Sequence, residues 1–271
     1  MIIGNREFDT DNHTYIMGIL NVTPDSFSDG GNYCSVESAL ARVGEMLQQG
    51  ADIIDVGGES TRPGAEMVPE EEELRRVIPI ISAIKREYNV PVSLDTYKPE
   101  VAAAGIEAGA DMINDIWGLK YDKKMAEIIA AGQVACCLMH NRNTLTKAVS
   151  YDVVNAVCDD LKESLEIALP AGIAKERIVL DPGIGFAKNT DENLKIIREM
   201  KRIKAMGYPV LIGASRKSVI GNVLGRDTGE RLYGTLAVTA YAVCNGAGIL
   251  RVHDIEANRD VIKMLEAVKE S

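Results

Sequence analysis

Apolar and polar positions follow two rhythms along this chain. Short β-branched runs are each followed by a longer stretch whose apolar residues recur at helical spacing. Tyr15–Leu20 precedes Val36–Gln48, Asp52–Val56 precedes Pro69–Tyr88, Pro91–Leu94 precedes Pro99–Glu107, and Met112–Ile116 precedes Lys123–Ala131. Val134–Met139 then precedes Asp152–Leu169, Ile178–Leu180 precedes Asp191–Met206, Val210–Ile212 precedes Arg231–Cys244, and Ile249–Val252 precedes Ile255–Val268. That makes eight strand–helix units. The runs are apolar at both parities, as strands are when helices cover one side and a closed barrel the other. Glycines at Gly50, Gly109, Gly132, Gly172 and Gly207 predict helix-ending turns with positive φ. Met1–Asp11, with turn residues at Asp9–Asn12, predicts a hairpin placed to plug the bottom of a barrel. The expected fold is a single (β/α)8 TIM barrel with an N-terminal β-hairpin, residues 1–271 forming one domain. A doubly wound sheet is disfavoured, because no Gly-rich dinucleotide turn follows the first strand.

Composition narrows the function. The chain has 271 residues, 46% of them hydrophobic and 26% charged, the mix of a folded globular protein. Forty acids against thirty bases give a net charge of −10, which disfavours a broad nucleic-acid surface but not a local anion site. The least charged stretch, Leu232 to Leu250, carries Thr235, Thr239, Asn245 and several glycines, so no membrane span is expected. Met1 to Phe8 includes Arg6 and Glu7 and offers no apolar signal region. Five scattered cysteines without a CxxC pair predict reduced thiols and a cytoplasmic location.

In a barrel of this kind the chemistry sits at the C-terminal ends of the strands. Polar residues follow every run. Arg62 and His253 fall after the second and eighth runs and Arg251 within the eighth, and those two runs flank the first in a closed barrel. Their forked and ring donors suit a phosphate or diphosphate. Asn21, after the first run, is a neutral oxygen ligand suited to a hydrated Mg²⁺ that bridges phosphate oxygens. Asp95, Asn114 and Asp181 can accept from and donate to a flat heterocycle with paired N–H groups, and Lys217 can donate to its carbonyl. A rim ion pair for Arg62, Arg251 or Lys217, and a helix cap for His253, are the plain structural alternatives. The Gly30-Gly31 and Gly57-Gly58 loops are long enough to cover the mouth.

The runs Asn21 to Gly31, Gly57 to Gly64, Asp181 to Phe186 and Ser215 to Lys217, with Arg251-Val252-His253, resemble the signature segments of the dihydropteroate synthase family. The resemblance spans nearly the whole chain, in order. It implies condensation of 6-hydroxymethyl-7,8-dihydropterin diphosphate with 4-aminobenzoate, release of diphosphate, and competition by sulfonamides. It implies that Asn21 ligates Mg²⁺, that Arg62, Arg251 and His253 hold the diphosphate, and that Asp95, Asn114, Asp181 and Lys217 hold the pterin over Met139. Phe27, Asp29, Thr61, Pro63, Phe186 and Ser218 are implied to shape the aminobenzoate site. The Met139-His140-Asn141-Arg142-Asn143 segment departs from the Met-His-Met-Gln-Gly of many members and is similar to the Gram-positive branch. A homodimer through the late helices is implied, and Ala237, Ala240, Ala242 and Gly246 permit close helix contact there.

Three rivals remain open on sequence. A corrinoid-dependent pterin methyltransferase shares the barrel and the pterin carboxylates but has no need of Asn21 to Gly31 with Thr61-Arg62. A Schiff-base aldolase built on Lys217 requires a depressed lysine pKa, whereas facing carboxylates are expected to keep it high. A non-catalytic pterin-binding paralogue has no need of Asn21, Arg62 and Arg251 together.

Overall fold

The computed structural model describes residues 1–23, 35–60, 67–141 and 152–270. A short antiparallel hairpin, β1 (Ile2–Ile3) and β2 (Arg6–Glu7), comes first. Eight parallel strands follow: β3 (Tyr15–Asn21), β4 (Ile53–Gly57), β5 (Val92–Asp95), β6 (Met112–Asp115), β7 (Ala135–Met139), β8 (Ile178–Asp181), β9 (Leu211–Ile212) and β10 (Ile249–Val252). Their order is β8-β7-β6-β5-β4-β3-β10-β9, and a parallel bridge from Leu180 to Val210 closes the ring. The helices α1 (Val36–Gln48), α2 (Glu70–Glu87), α3 (Pro99–Glu107), α4 (Lys124–Gly132) and α5 (Val153–Ala168) follow β3 to β7 in turn. After β8 come α6 (Thr190–Arg198) and α7 (Lys201–Lys204), after β9 α8 (Ser218–Leu224) and α9 (Leu232–Cys244), and after β10 α10 (Ile255–Glu270). This is the expected (β/α)8 barrel.

Local chemistry explains the helix starts. Ser35 caps α1 by accepting from the Ser38 amide at 3.1 Å, and Asp152 caps α5 by accepting from Val154 at 3.1 Å. Four glutamates, Glu70 to Glu73, occupy the positive end of α2. Asn189 and Glu192 form a reciprocal capping box on α6.

Four expectations need correction. The single helix expected over Asp191–Met206 breaks at Glu199–Met200, which turns Met200 and Ile203 fully into the core. A short helix, α8, stands between β9 and α9, where the helical pattern predicts only one helix. The hairpin turns at Gly4, with φ +59°, while Asp9 instead holds Asn12 in the following turn. Gly132 is the last residue of α4, and Gln133 takes the left-handed conformation with φ +52°. A Cβ on Gly132 would lie 2.9 Å from the Ile106 side chain, so glycine is needed there for close packing rather than for the turn.

Side-chain alternation divides the interior. On β4, Ile54 and Val56 join the large outer core beneath the helices. Ile53 joins a second cluster inside the barrel, with Met17, Met112, Ala135, Cys137, Val179, Leu211 and Ile249. Ile3 and Phe8 complete that inner cluster, so the N-terminal segment plugs the barrel as anticipated. The Phe8 ring meets Tyr15 edge-on at 4.8 Å. The next inward positions toward the strand ends are polar or glycine: Asp55 and Gly57 on β4, Asp95 on β5, Asn114 on β6, Asp181 on β8 and Arg251 on β10. Phe8→Ala should cost about 3–5 kcal/mol in equilibrium urea unfolding, the range for truncating a buried aromatic ring; a loss within 1 kcal/mol would show that the plug adds little packing.

Candidate active site

The inward polar positions meet at one end of the barrel. Arg251 is their hub. Its Nε donates to Asp55 Oδ2 at 2.6 Å and its Nη2 to Asp95 Oδ2 at 2.7 Å. Asn114 Nδ2 donates to the same Asp55 oxygen at 3.3 Å, which leaves the Asn114 carbonyl for a further donor. Asp55 is wholly buried, and Asp95, Asn114 and Asp181 nearly so. Asp181 Oδ1 accepts from the Gly183 amide at 2.7 Å. That close turn demands glycine: Gly183 has φ +67°, and a Cβ there would lie 1.9 Å from the His140 carbonyl.

Lys217 crosses the opening from the turn after β9. Its Nζ donates to the Ile184 carbonyl at 2.6 Å and lies 4.6 Å from the centre of the Phe186 ring. Gly213, on the same turn, leaves a gap. A Cβ there would sit 3.8 Å from each of Asp181 Oδ2, Lys217 Nζ and the Arg251 Cβ. Gly57 leaves a second gap, at 3.9 Å from both Asn21 Oδ1 and Asp95 Oδ2. A methyl group at either position would meet these atoms in ordinary contact, so each glycine leaves about that much room between the polar groups. Met139 forms an apolar wall with Tyr97, Ile116, Trp117 and Phe186.

Burial sets the electrostatics. It pushes Asp95 up to about 7, against the pull of Arg251, and also raises Asp181, against the pull of Lys217. The Arg251 contact is nevertheless that of an ionised carboxylate. Lys217 corrects an expectation: burial lowers it to about 8, with Arg251 adding to the effect, despite Asp181 and Asp95. The carboxylates do not keep it high, because desolvation of the ammonium outweighs them.

At the rim, the Ser215 hydroxyl accepts from the His253 backbone N–H at 3.2 Å and lies 3.0 Å from His253 Nδ1. Arg216 has φ +58° and pairs with Asp254 through Nε at 2.9 Å. Ser218 opens α8 and is exposed. Phe27, Asp29, Thr61, Arg62, Pro63 and Asn143 lie outside the described residues.

The sequence assigns Arg251 to an anion and Asp95 to a heterocycle, and the structure pairs the two directly. Sequence reasoning missed several residues. Asp55 was passed over as one position of an apolar run, although a charge inside Ile53-Ile54-Asp55-Val56 is the signal that marks it. Lys98, buried, bonds to Glu59, Glu73 and the Val68 carbonyl, while Glu59 also accepts from Val68 N at 3.2 Å and Tyr97 OH at 3.1 Å. That network ties together the two sides of the segment holding Thr61, Arg62 and Pro63. Lys188 Nζ lies 2.8 Å from Nδ1 of the buried His140, and burial lowers it to about 7. A separate cavity of about 370 Å³ opens beside Lys175, Lys204 and Tyr208, and none of the predicted site residues lines it.

Residues 17–253 match the family model described as pterin binding enzyme. The chain is 53% identical over 270 residues to dihydropteroate synthase of Clostridium beijerinckii, covering 99% of each. Among solved structures, dihydropteroate synthase from Clostridium difficile in the presence of pteroic acid superposes with a TM-score of 0.92 at 46% identity, over 98% of this chain and 100% of that one. The Xanthomonas albilineans enzyme with 4-aminobenzoic acid gives a TM-score of 0.90 at 43% identity, over 96% and 94% of the two chains.

Removing the hub would strand two acids. Arg251→Met should cost about 3–5 kcal/mol at pH 7 in urea unfolding, because Asp55 and Asp95 then face each other without a cation. Burial already holds Asp95 above its ordinary range, so its penalty applies above its folded value and fades as pH falls through it. The deficit against the unmodified chain should therefore shrink toward pH 5; a deficit independent of pH would contradict this account.

Proposed function

The chain belongs to the pterin-binding enzyme family, and from that premise we propose how its residues divide the work of a dihydropteroate synthase. The activity is condensation of 6-hydroxymethyl-7,8-dihydropterin diphosphate with 4-aminobenzoate, giving 7,8-dihydropteroate and diphosphate. The observation that carries the assignment of roles is the shared opening, where Asp95, Asn114 and Asp181 stand around gaps left by Gly57 and Gly213, with Arg251 and Lys217 among them.

Asp181 and Asp95 accept the paired N–H groups of the pterin, each through an oxygen not already committed to the protein. Asn114 meets a ring nitrogen, Lys217 donates to the ring carbonyl, and Met139 and Phe186 cover the faces. Arg251, Arg62 and His253 take the diphosphate. Phe27, Asp29, Thr61, Pro63 and Ser218 shape the aminobenzoate site, and the whole chain works as one domain.

Asn21 is the residue that would hold Mg²⁺. Its Oδ1 faces the same gap as Asp95, and no group of three or more His, Cys, Asp or Glu able to hold a metal occurs among the described residues. A single amide oxygen suits a cation carried mainly by phosphate oxygens and water. When bound, the ion neutralises charge growing on the leaving diphosphate.

Bond breaking comes first. The C–O bond to diphosphate parts with its electron pair leaving on oxygen, where Arg251, Arg62 and His253 stabilise it. Asp95 and Asp181 stabilise the positive charge left on the dihydropterin. The neutral arylamine nitrogen then attacks the exocyclic carbon and sheds its proton after the C–N bond has formed.

A second copy of the chain fits the late helices, where Val223, Tyr233, Tyr241 and Met264 are exposed apolar side chains. Among the described residues no helix is long and apolar enough to cross a membrane. The free thiols of Cys136, Cys137, Cys158 and Cys244 favour a reducing compartment, the cytoplasm.

The deciding experiment measures diphosphate released from the pterin substrate with and without 4-aminobenzoate. Release coupled to dihydropteroate formation is expected; no release with both substrates present would overturn the reading. Asp181→Asn presents one acceptor fewer to the pterin and should weaken pteroic acid binding at least about tenfold, the value of one charge-assisted hydrogen bond. Equilibrium dialysis reads this directly, and unchanged affinity would remove Asp181 from the site. Binding should also peak between about pH 7 and 8, because Asp95 loses its charge below the first value and Lys217 above the second. A flat profile from pH 6 to 9 would exclude both groups from ring recognition.

A further inference from the structure

Asp55 has a cost without an evident use. It is fully buried on β4, two residues short of Gly57, the register partner of Asp95. A carboxylate at such depth is expensive even when paired, and an apolar residue of its size is often more stable. Its neighbour across the ladder is Ser93, and Asp55 Oδ1 and Ser93 Oγ are both buried without a partner among the described residues. Asp55 Oδ2 serves Arg251 Nε and Asn114 Nδ2.

Guanidinium geometry gives Asp55 a purpose. Nε–H and one Nη2–H form one edge of the plane, and that edge is shared between Asp55 and Asp95. The terminal edge, built from Nη1 and the second Nη2–H, is left for an anion. Asp95 gives Arg251 only Oδ2, and its Oδ1 is buried without a partner among the described residues. Without the pull at Nε, the fork of Arg251 would settle on Asp95 in the favoured two-bond arrangement and occupy both carboxylate oxygens.

We infer that Asp55 is a positioning residue: by holding Nε of Arg251 it limits the guanidinium to one oxygen of Asp95 and leaves the other to the pterin. It acts through Arg251 and touches neither substrate. The inference rests on the pterin-binding reading above.

A double-mutant cycle tests it with two separate probes, 6-hydroxymethylpterin, which carries no diphosphate, and inorganic diphosphate. Asp55→Asn should weaken the pterin by about tenfold or more, the value of one charge-assisted hydrogen bond, while diphosphate affinity stays within about threefold. In an Arg251→Ala background the same substitution should change pterin affinity by less than about twofold, since nothing remains for it to act through. Arg251→Lys, which has no Nε edge, supplies the second background if Arg251→Ala does not fold, with the same expectation. An equal pterin loss in both backgrounds would overturn the inference, as would a parallel loss of both probes with a lowered Tm, or no loss at all. Failure of the unmodified protein to bind the pterin would instead sink the reading beneath it.

Discussion

Two carboxylates facing the inside of a barrel repel each other and resist desolvation, and a single guanidinium between them offsets part of both costs. Arg251 does this for Asp55 and Asp95 with bonds of 2.6 and 2.7 Å. Other described polar groups stand beside it. Asn114 leans on Asp55, Asp181 is held by the Gly183 amide, and Lys217 spans from its own turn to Ile184. The planar guanidinium suits the hub because its Nε–H and Nη2–H point in fixed directions toward the two acids.

The barrel separates what stabilises it from what makes it useful. Its lower interior is a continuous apolar cluster plugged by Ile3 and Phe8, and its outer core lies between strands and helices. Those layers carry the burial free energy. They allow the opposite end to keep oxygens such as Asp55 Oδ1 and Asp95 Oδ1 without partners among the described residues, and cations whose basicity burial has weakened. A site of this kind stores unfavourable terms that a fitting ligand can relieve.

The period of the fold was plain in the sequence because each strand–helix unit repeats the same local contrast, a β-branched run followed by a helical stripe. Boundaries moved by one or two residues. Larger differences arose where tertiary packing decided the outcome. Met200 breaks a helix to enter the core, and Gly132 serves Ile106 rather than its own turn. At the site, residues that follow the strands were legible, since a polar cluster after an apolar run is an anomaly anyone can count. Asp55 was hidden inside its strand, and the Lys98–Glu59–Glu73 network joins positions far apart in the chain. The ionisation of Lys217 was misjudged for a related reason. Sequence shows which charges neighbour it but not how completely water is excluded.

Protonation and ligand recognition are therefore one equilibrium at this opening. Asp95 near 7 and Lys217 near 8 are both displaced toward their neutral forms by burial. A pterin edge that donates to Asp95 stabilises the carboxylate and draws its value down, while a ring carbonyl that accepts from Lys217 stabilises the ammonium and draws its value up. The ligand supplies the polar partners that burial withheld, and each group returns toward its ordinary charge as the ring seats. A ring lacking the donor edge would leave the acids short of partners, so discrimination against it comes from the unsatisfied groups of the protein rather than from shape alone.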